Sequence, residues 1–183
     1  GEVRGLPEKY LELHRWRQLN KDKLMGMVQS KKENNAVYDI GCLGKISDYQ
    51  KSKDGRVLIN LTGISRFKIL REVSSKKLYR EFKVDYQNFS EDVENSNDDI
   101  DANSLMGKAK TFFKKNGLLL NWVEFEKLDQ TQRINTLAMI APVSNEEKQK
   151  LLEAVSIQNK VTTLDSIISF YLYETGSNNQ TIQ

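Results

Sequence analysis

The sequence predicts an α+β fold, β-rich in front and helical behind, and three observations predict it. Residues up to about 90 carry short apolar runs with period-two alternation, interrupted by glycine-marked turns. A polar, acidic stretch occupies 91–103, and beyond it the apolar spacing changes to the helical period. We therefore divide the 183 residues into a β subdomain over 1–90, an acidic linker over 91–103, a helical subdomain over 104–176 and a polar tail over 177–183.

One early helix is expected inside the β half. Pro7 suits a first helical turn, and Tyr10, Leu13, Trp16 and Leu19 recur at helical spacing before Asn20 ends the run. Leu24 to Val28 reads as a short buried strand and Val37 to Ile46 as a second, with Gly41 and Gly44 marking a bulge or a close backbone approach. Lys53-Asp54-Gly55-Arg56 is a hairpin turn, because Asp-Gly tolerates positive φ between two β-rich runs. Val57, Ile59 and Leu61 share a face of the returning arm, Gly63 breaks the run, and Phe67 and Ile69 resume the alternation. Tyr79 to Tyr86 alternates again, with Phe82, Val84 and Tyr86 on one face.

The stretch from Ser90 to Asn103 is too polar and like-charged to bury anything, which is why it reads as a linker. After it, Leu105, Ala109, Phe112 and Phe113 form one apolar helical stripe that Asn116-Gly117 should close. Asn121 with Glu124, and Ser144 with Glu147, each pair an N-cap residue with an acid three positions on, marking two helix starts. A last helix runs from about Ser156 to Glu174 with Val161, Leu164, Ile167, Ile168, Tyr171 and Leu172 inward; the residues after it should fray.

Composition narrows the function classes. With 38% hydrophobic and 29% charged residues the chain reads as an ordinary soluble globular protein. It has no apolar run near the roughly 20 residues that span a bilayer and no signal-like start, so a cytoplasmic location and no membrane role are expected. Cys42 and His14 are each the sole residue of their type, which leaves no disulfide and no Cys-rich zinc site. The net charge of +3 is uneven: residues 1–90 hold 19 Lys/Arg against 11 Asp/Glu, whereas 91–103 hold six acids and no base. A basic front half favours an acidic partner or a phosphate backbone.

The order of blocks carries a resemblance. An early helix, Lys23 to Gln29, then Ile40-Gly41-Cys42-Leu43-Gly44-Lys45-Ile46, Asp54-Gly55-Arg56 and Leu61-Thr62-Gly63-Ile64-Ser65-Arg66-Phe67-Lys68-Ile69 follow one another. Leu137 to Pro142 and Glu147 to Ala154 add a helical block. Together, across residues 6 to 172, these are similar to the Lon protease N-terminal, substrate-binding domain family, in particular its stand-alone bacterial members. The resemblance implies a PUA-like β pseudo-barrel followed by a C-terminal helical bundle, used to hold protein substrates or partners. It implies no proteolysis, since in Lon enzymes ATPase and Ser-Lys protease chemistry sit in other domains and no Gly-x-x-x-x-Gly-Lys-Ser/Thr phosphate loop occurs here. Family members open with an apolar, Pro-rich strand of which Gly5 to Tyr10 keeps only an echo. Truncation or a missing barrel strand would leave an open edge through which a homodimer could form.

No constellation for catalysis converges. His14 reads as a surface or packing histidine and Cys42 as a small hydrophobe between strand glycines. The adjacent pairs Glu146-Glu147 and Asp98-Asp99 read as solvated surface, and the glycines at 41, 44 and 63 lack the helix start and lysine of a phosphate cradle. The sequence thus predicts a protein-binding module with no cofactor, no metal and no enzyme activity, gripping clients through Trp16, Met25 and Met27. The alternative is an RNA-binding PUA-like module in which Lys76, Lys77, Tyr79 and Arg80 touch nucleic acid.

Overall fold

The front half forms five strands, and in the second arm of the hairpin Val57, Ile59 and Leu61 recur at every second position, as a strand with one covered face requires. The strands are β1 (Glu2–Arg4), β2 (Leu24–Met27), β3 (Ile40–Lys51), β4 (Val57–Val73) and β5 (Glu81–Asp85). The computed structural model describes residues 2–4, 23–32, 36–54, 57–76, 79–92 and 101–177, so the expected early helix, with Trp16 and His14, lies outside the described residues, as do Gly55-Arg56 and Asp98-Asp99. The chain divides into two compact units, Gly1–Ser96 and Asn97–Gln183.

In the first unit all pairings are antiparallel and the strand order is β1-β5-β4-β3-β2. The first and last strands of that order, β1 and β2, approach within 8 Å between Cα atoms, so the sheet curls toward closure, as a pseudo-barrel requires. The edge of β5 is taken: Glu2, Val3 and Arg4 pair with Lys83, Phe82 and Glu81. The outer strands of the order are thus β1 and β2.

Gly63 does not break its strand, contrary to the sequence expectation. β4 runs through it as one element, and the ladder absorbs an extra residue instead: Leu43 faces Ser65 while Gly44 faces Gly63, leaving Ile64 as the bulged residue. Two further irregularities make Ser47 the extra residue between Ile46 and Asp48 on β3, and Leu70 the extra residue between Ile69 and Arg71 on β4. Gly41 is a close approach, as its type suggested. A Cβ there would lie 2.5 Å from Val28 Cγ1, 2.6 Å from the Met27 carbonyl oxygen and 2.7 Å from the Phe67 ring.

The sheet's interior holds two apolar clusters, Leu43, Phe67, Phe82 and Val84 in one, and Met25, Ile46 and Tyr79 in the other. Across β5, a 3-10 segment, Gln87–Asp92, returns onto the sheet and is pinned by Arg66. Asp92 accepts from the Arg66 backbone N–H at 2.8 Å and from its Nη2 at 2.7 Å, with the guanidinium 4.5 Å from the Phe89 ring centroid. The polar stretch thus begins with a residue bound into the β unit, and at its other end Ala102 is buried.

The second unit is helical: α1 (Asn103–Lys115), α2 (Trp122–Glu126), α3 (Gln130–Ile140), α4 (Asn145–Glu153) and α5 (Ile157–Ser177). Leu105, Ala109, Phe112 and Phe113 of α1 meet Leu164, Ile168 and Val161 of α5 in one core with Ile134, Leu137 and Leu151. The expected caps form: Asn121 accepts from the Glu124 N–H, and Ser144 and Glu147 make a reciprocal capping box. A further box, Asp129 with Gln132, starts α3. The last helix continues to Ser177, beyond the end its apolar stripe suggested. Lys108 to Asp165 at 2.8 Å and the Tyr171 hydroxyl donating to Glu147 at 2.8 Å tie α5 to its neighbours. Among the described residues no helix is long and apolar enough to cross a membrane.

Candidate functional site

Among the described residues, those singled out from sequence do not form one exposed surface. Met25 is fully buried beside Ile46 and Tyr79, so it is core and cannot present its thioether to a client. Met27, at the end of the same strand, is 45% exposed, and Trp16 lies outside the described residues. Of the basic set, Lys76 is exposed and Lys77 is outside the described residues. The Tyr79 ring is buried, which removes the stacking platform the RNA alternative needs. Arg80 is already held: its Nε and Nη2 donate to Glu72 at 2.7 and 2.6 Å, and its guanidinium lies 5.0 Å from the Phe82 ring centroid.

The motif residues that carried the resemblance have structural duties. Gly41 lets Phe67 and Val28 close over the backbone, Cys42 donates weakly to the neighbouring Leu43 carbonyl, and Arg66 clamps Asp92. Perturbed groups are likewise structural. Burial pulls Lys148 below the usual lysine range while its ammonium caps the carbonyls of Ala138 and Met139 at the end of α3. The hydrogen bond to Glu147 pushes the Tyr171 phenol up. Among the described residues no group of three or more His, Cys, Asp or Glu could hold a metal ion.

What sequence reasoning did not single out is an apolar corner between α1 and α2. Leu119 is 100% exposed, Val123 70% and Leu118 40%, three large apolar side chains within six residues. Rigid geometry presents them. Gly117, at φ +69°, ends α1 in the left-handed region; its N–H donates to Lys114 O and that of Leu118 to Phe113 O, the double bond pattern of a Schellman cap. Asn121 caps α2 four residues later, and the half-buried Leu120 anchors the connection in the core. Trp122 is braced edge-on between Phe113 (6.3 Å) and Phe125 (5.4 Å). The segment Gly117-Leu118-Leu119-Leu120 was legible as an apolar run, but its exposure was not: three consecutive leucines read as core.

Comparison with known proteins gives a consistent answer. The family model described as the ATP-dependent protease La (LON) substrate-binding domain matches residues 10–169. Among solved structures, a Lon N-terminal domain protein from Xanthomonas campestris is similar with a TM-score of 0.62 at 19% identity, covering 90% of this chain and 86% of that one. The N-terminal domain of a Mycobacterium avium complex Lon protease is similar with a TM-score of 0.60 at 15% identity, covering 92% and 90%. No curated protein matches the sequence.

Proposed function

Because this chain belongs to the family of Lon substrate-binding domains, we propose that it is a non-catalytic module that binds segments of other proteins, and that the α1–α2 corner is its contact surface. The observation that carries this reading is the full exposure of Leu119 on a connection fixed at both ends. A soluble protein gains nothing in folding stability from a leucine held wholly in water, whereas a partner covering it gains about 1.5–3 kcal/mol for that side chain. Because the cap and the Trp122 brace order the corner beforehand, little of that gain is lost to fixing the loop on binding. The clients so held are protein segments with apolar side chains, each bound weakly, and no cofactor takes part. The internal engagement of Arg80 and the burial of Tyr79 favour this reading over RNA binding.

Anisotropy of a dye-labelled, unfolded protein titrated with the purified chain tests it. Leu119→Ser should weaken binding about tenfold or more, and Val123→Ser about threefold, with unchanged circular dichroism. Unaltered affinity in both variants sinks the assignment of the corner. Binding of single-stranded RNA that falls steeply between about 50 and 200 mM salt would replace the proposal with the nucleic-acid one.

A further inference from the structure

We infer that the α1–α2 corner selects apolar segments flanked by carboxylates, a specificity that rests on the binding role proposed above. The rim is basic. Lys110 sits 5.2 Å from the Trp122 ring centroid and 3.1 Å from Glu126, and Lys127 lies 2.6 Å from Glu124, so each rim acid is engaged by a neighbouring lysine. Arg133 adds a guanidinium that donates to the Leu128 and Glu126 carbonyls. Lys114 and Lys115, in the last turn of α1, are exposed and among the described residues have no acidic partner.

Among the described residues no carboxylate pairs with those two lysines. The helix end would ordinarily offer carbonyl oxygens as a negative counterpart, yet those of Phe112, Phe113 and Lys114 are taken by the N–H groups of Asn116, Gly117 and Leu118 and by the Asn116 amide. A client with leucine-like side chains over Leu119 and Val123 therefore meets surplus positive charge at the α1 end, from Lys114 and Lys115. Acidic flanks supply the missing partners, and basic flanks are repelled, so discrimination arises from attraction and repulsion together.

Two dye-labelled unstructured peptides with the same three-leucine centre, one flanked by aspartates and one by lysines, are titrated with the full chain. The acidic peptide should bind roughly three- to tenfold more tightly at about 50 mM salt, the gap narrowing at about 200 mM. In a Lys114→Gln/Lys115→Gln variant, whose changes are on the surface, the gap should fall below about twofold, while Leu119→Ser weakens both peptides alike. Equal binding of the two peptides, or preference for the basic one, overturns the specificity and leaves the binding role standing. Failure of both peptides to bind overturns the role itself. Capture by vesicles of anionic phospholipid, lost in Leu119→Ser and unaccompanied by peptide binding, overturns both in favour of a lipid surface.

Discussion

Replacing Asp92 by Asn tests whether the polar stretch after β5 is part of the β unit's stability. Asp92 accepts from the Arg66 backbone N–H at 2.8 Å, from Nε at 2.9 Å and from Nη2 at 2.7 Å, while the Arg66 and Asp92 side chains are only 9% and 19% exposed. Exposed ion pairs contribute about 0.2–1 kcal/mol, and removing one partner of a buried pair costs about 3–5 kcal/mol. This pair lies between, and Asn keeps an acceptor for the backbone N–H, so about 2 kcal/mol is expected for Asp92→Asn. Hydrogen exchange read on peptides from β4 and β5 isolates this unit, and its most protected amides should exchange about thirtyfold faster. Arg66→Met should cost a similar amount: Met refills the space over Phe89, but the Asp92 carboxylate, 19% exposed, is left without its guanidinium partner. The double variant should recover at least about 1 kcal/mol relative to the sum of the single changes. Additivity within about 0.5 kcal/mol would refute the reasoning, since it would mean that the two groups do not sense each other.

Two glycines should respond with opposite signs. Gly41→Ala forces a methyl against a carbonyl oxygen at 2.6 Å and two side chains, and should destabilise the β unit by about 1–3 kcal/mol. Gly107→Ala, in α1 with open space around the new methyl, should stabilise the helical unit by roughly 0.5–1 kcal/mol, both read as shifts in urea midpoint. The Glu72–Arg80 pair sets a pH dependence. The hydrogen bond from Arg80 holds the Glu72 carboxyl below its usual value, so its contribution is complete above the unfolded carboxylate pKa of about 4.3 and is lost as pH falls through the lower folded value. With both side chains nearly half exposed the effect is small, and an Arg80→Met variant should show a flatter decline in urea midpoint between about pH 5 and 3; identical profiles would exclude the pair as the cause.

The α+β order, the helix caps at Asn121 and Ser144 and the inward stripes of α1 and α5 followed from local rules: period, capping chemistry and the left-handed tolerance of glycine. These operate within a few residues, so the sequence by itself determined them, together with the family that its glycine-marked blocks resemble. Long-range pairing decided the rest. A bulge at Ile64 carries β4 past Gly63 where the local pattern suggested a stop, because the ladder can absorb an extra residue at less cost than ending. Arg66 found Asp92 from 26 positions away, turning the start of an apparent linker into part of the sheet's cover. Burial made the same kind of decision at the surface. Met25 went inside and Leu119 stayed out, because exposure depends on which neighbouring elements arrive to cover a side chain, and apolarity alone does not carry that information.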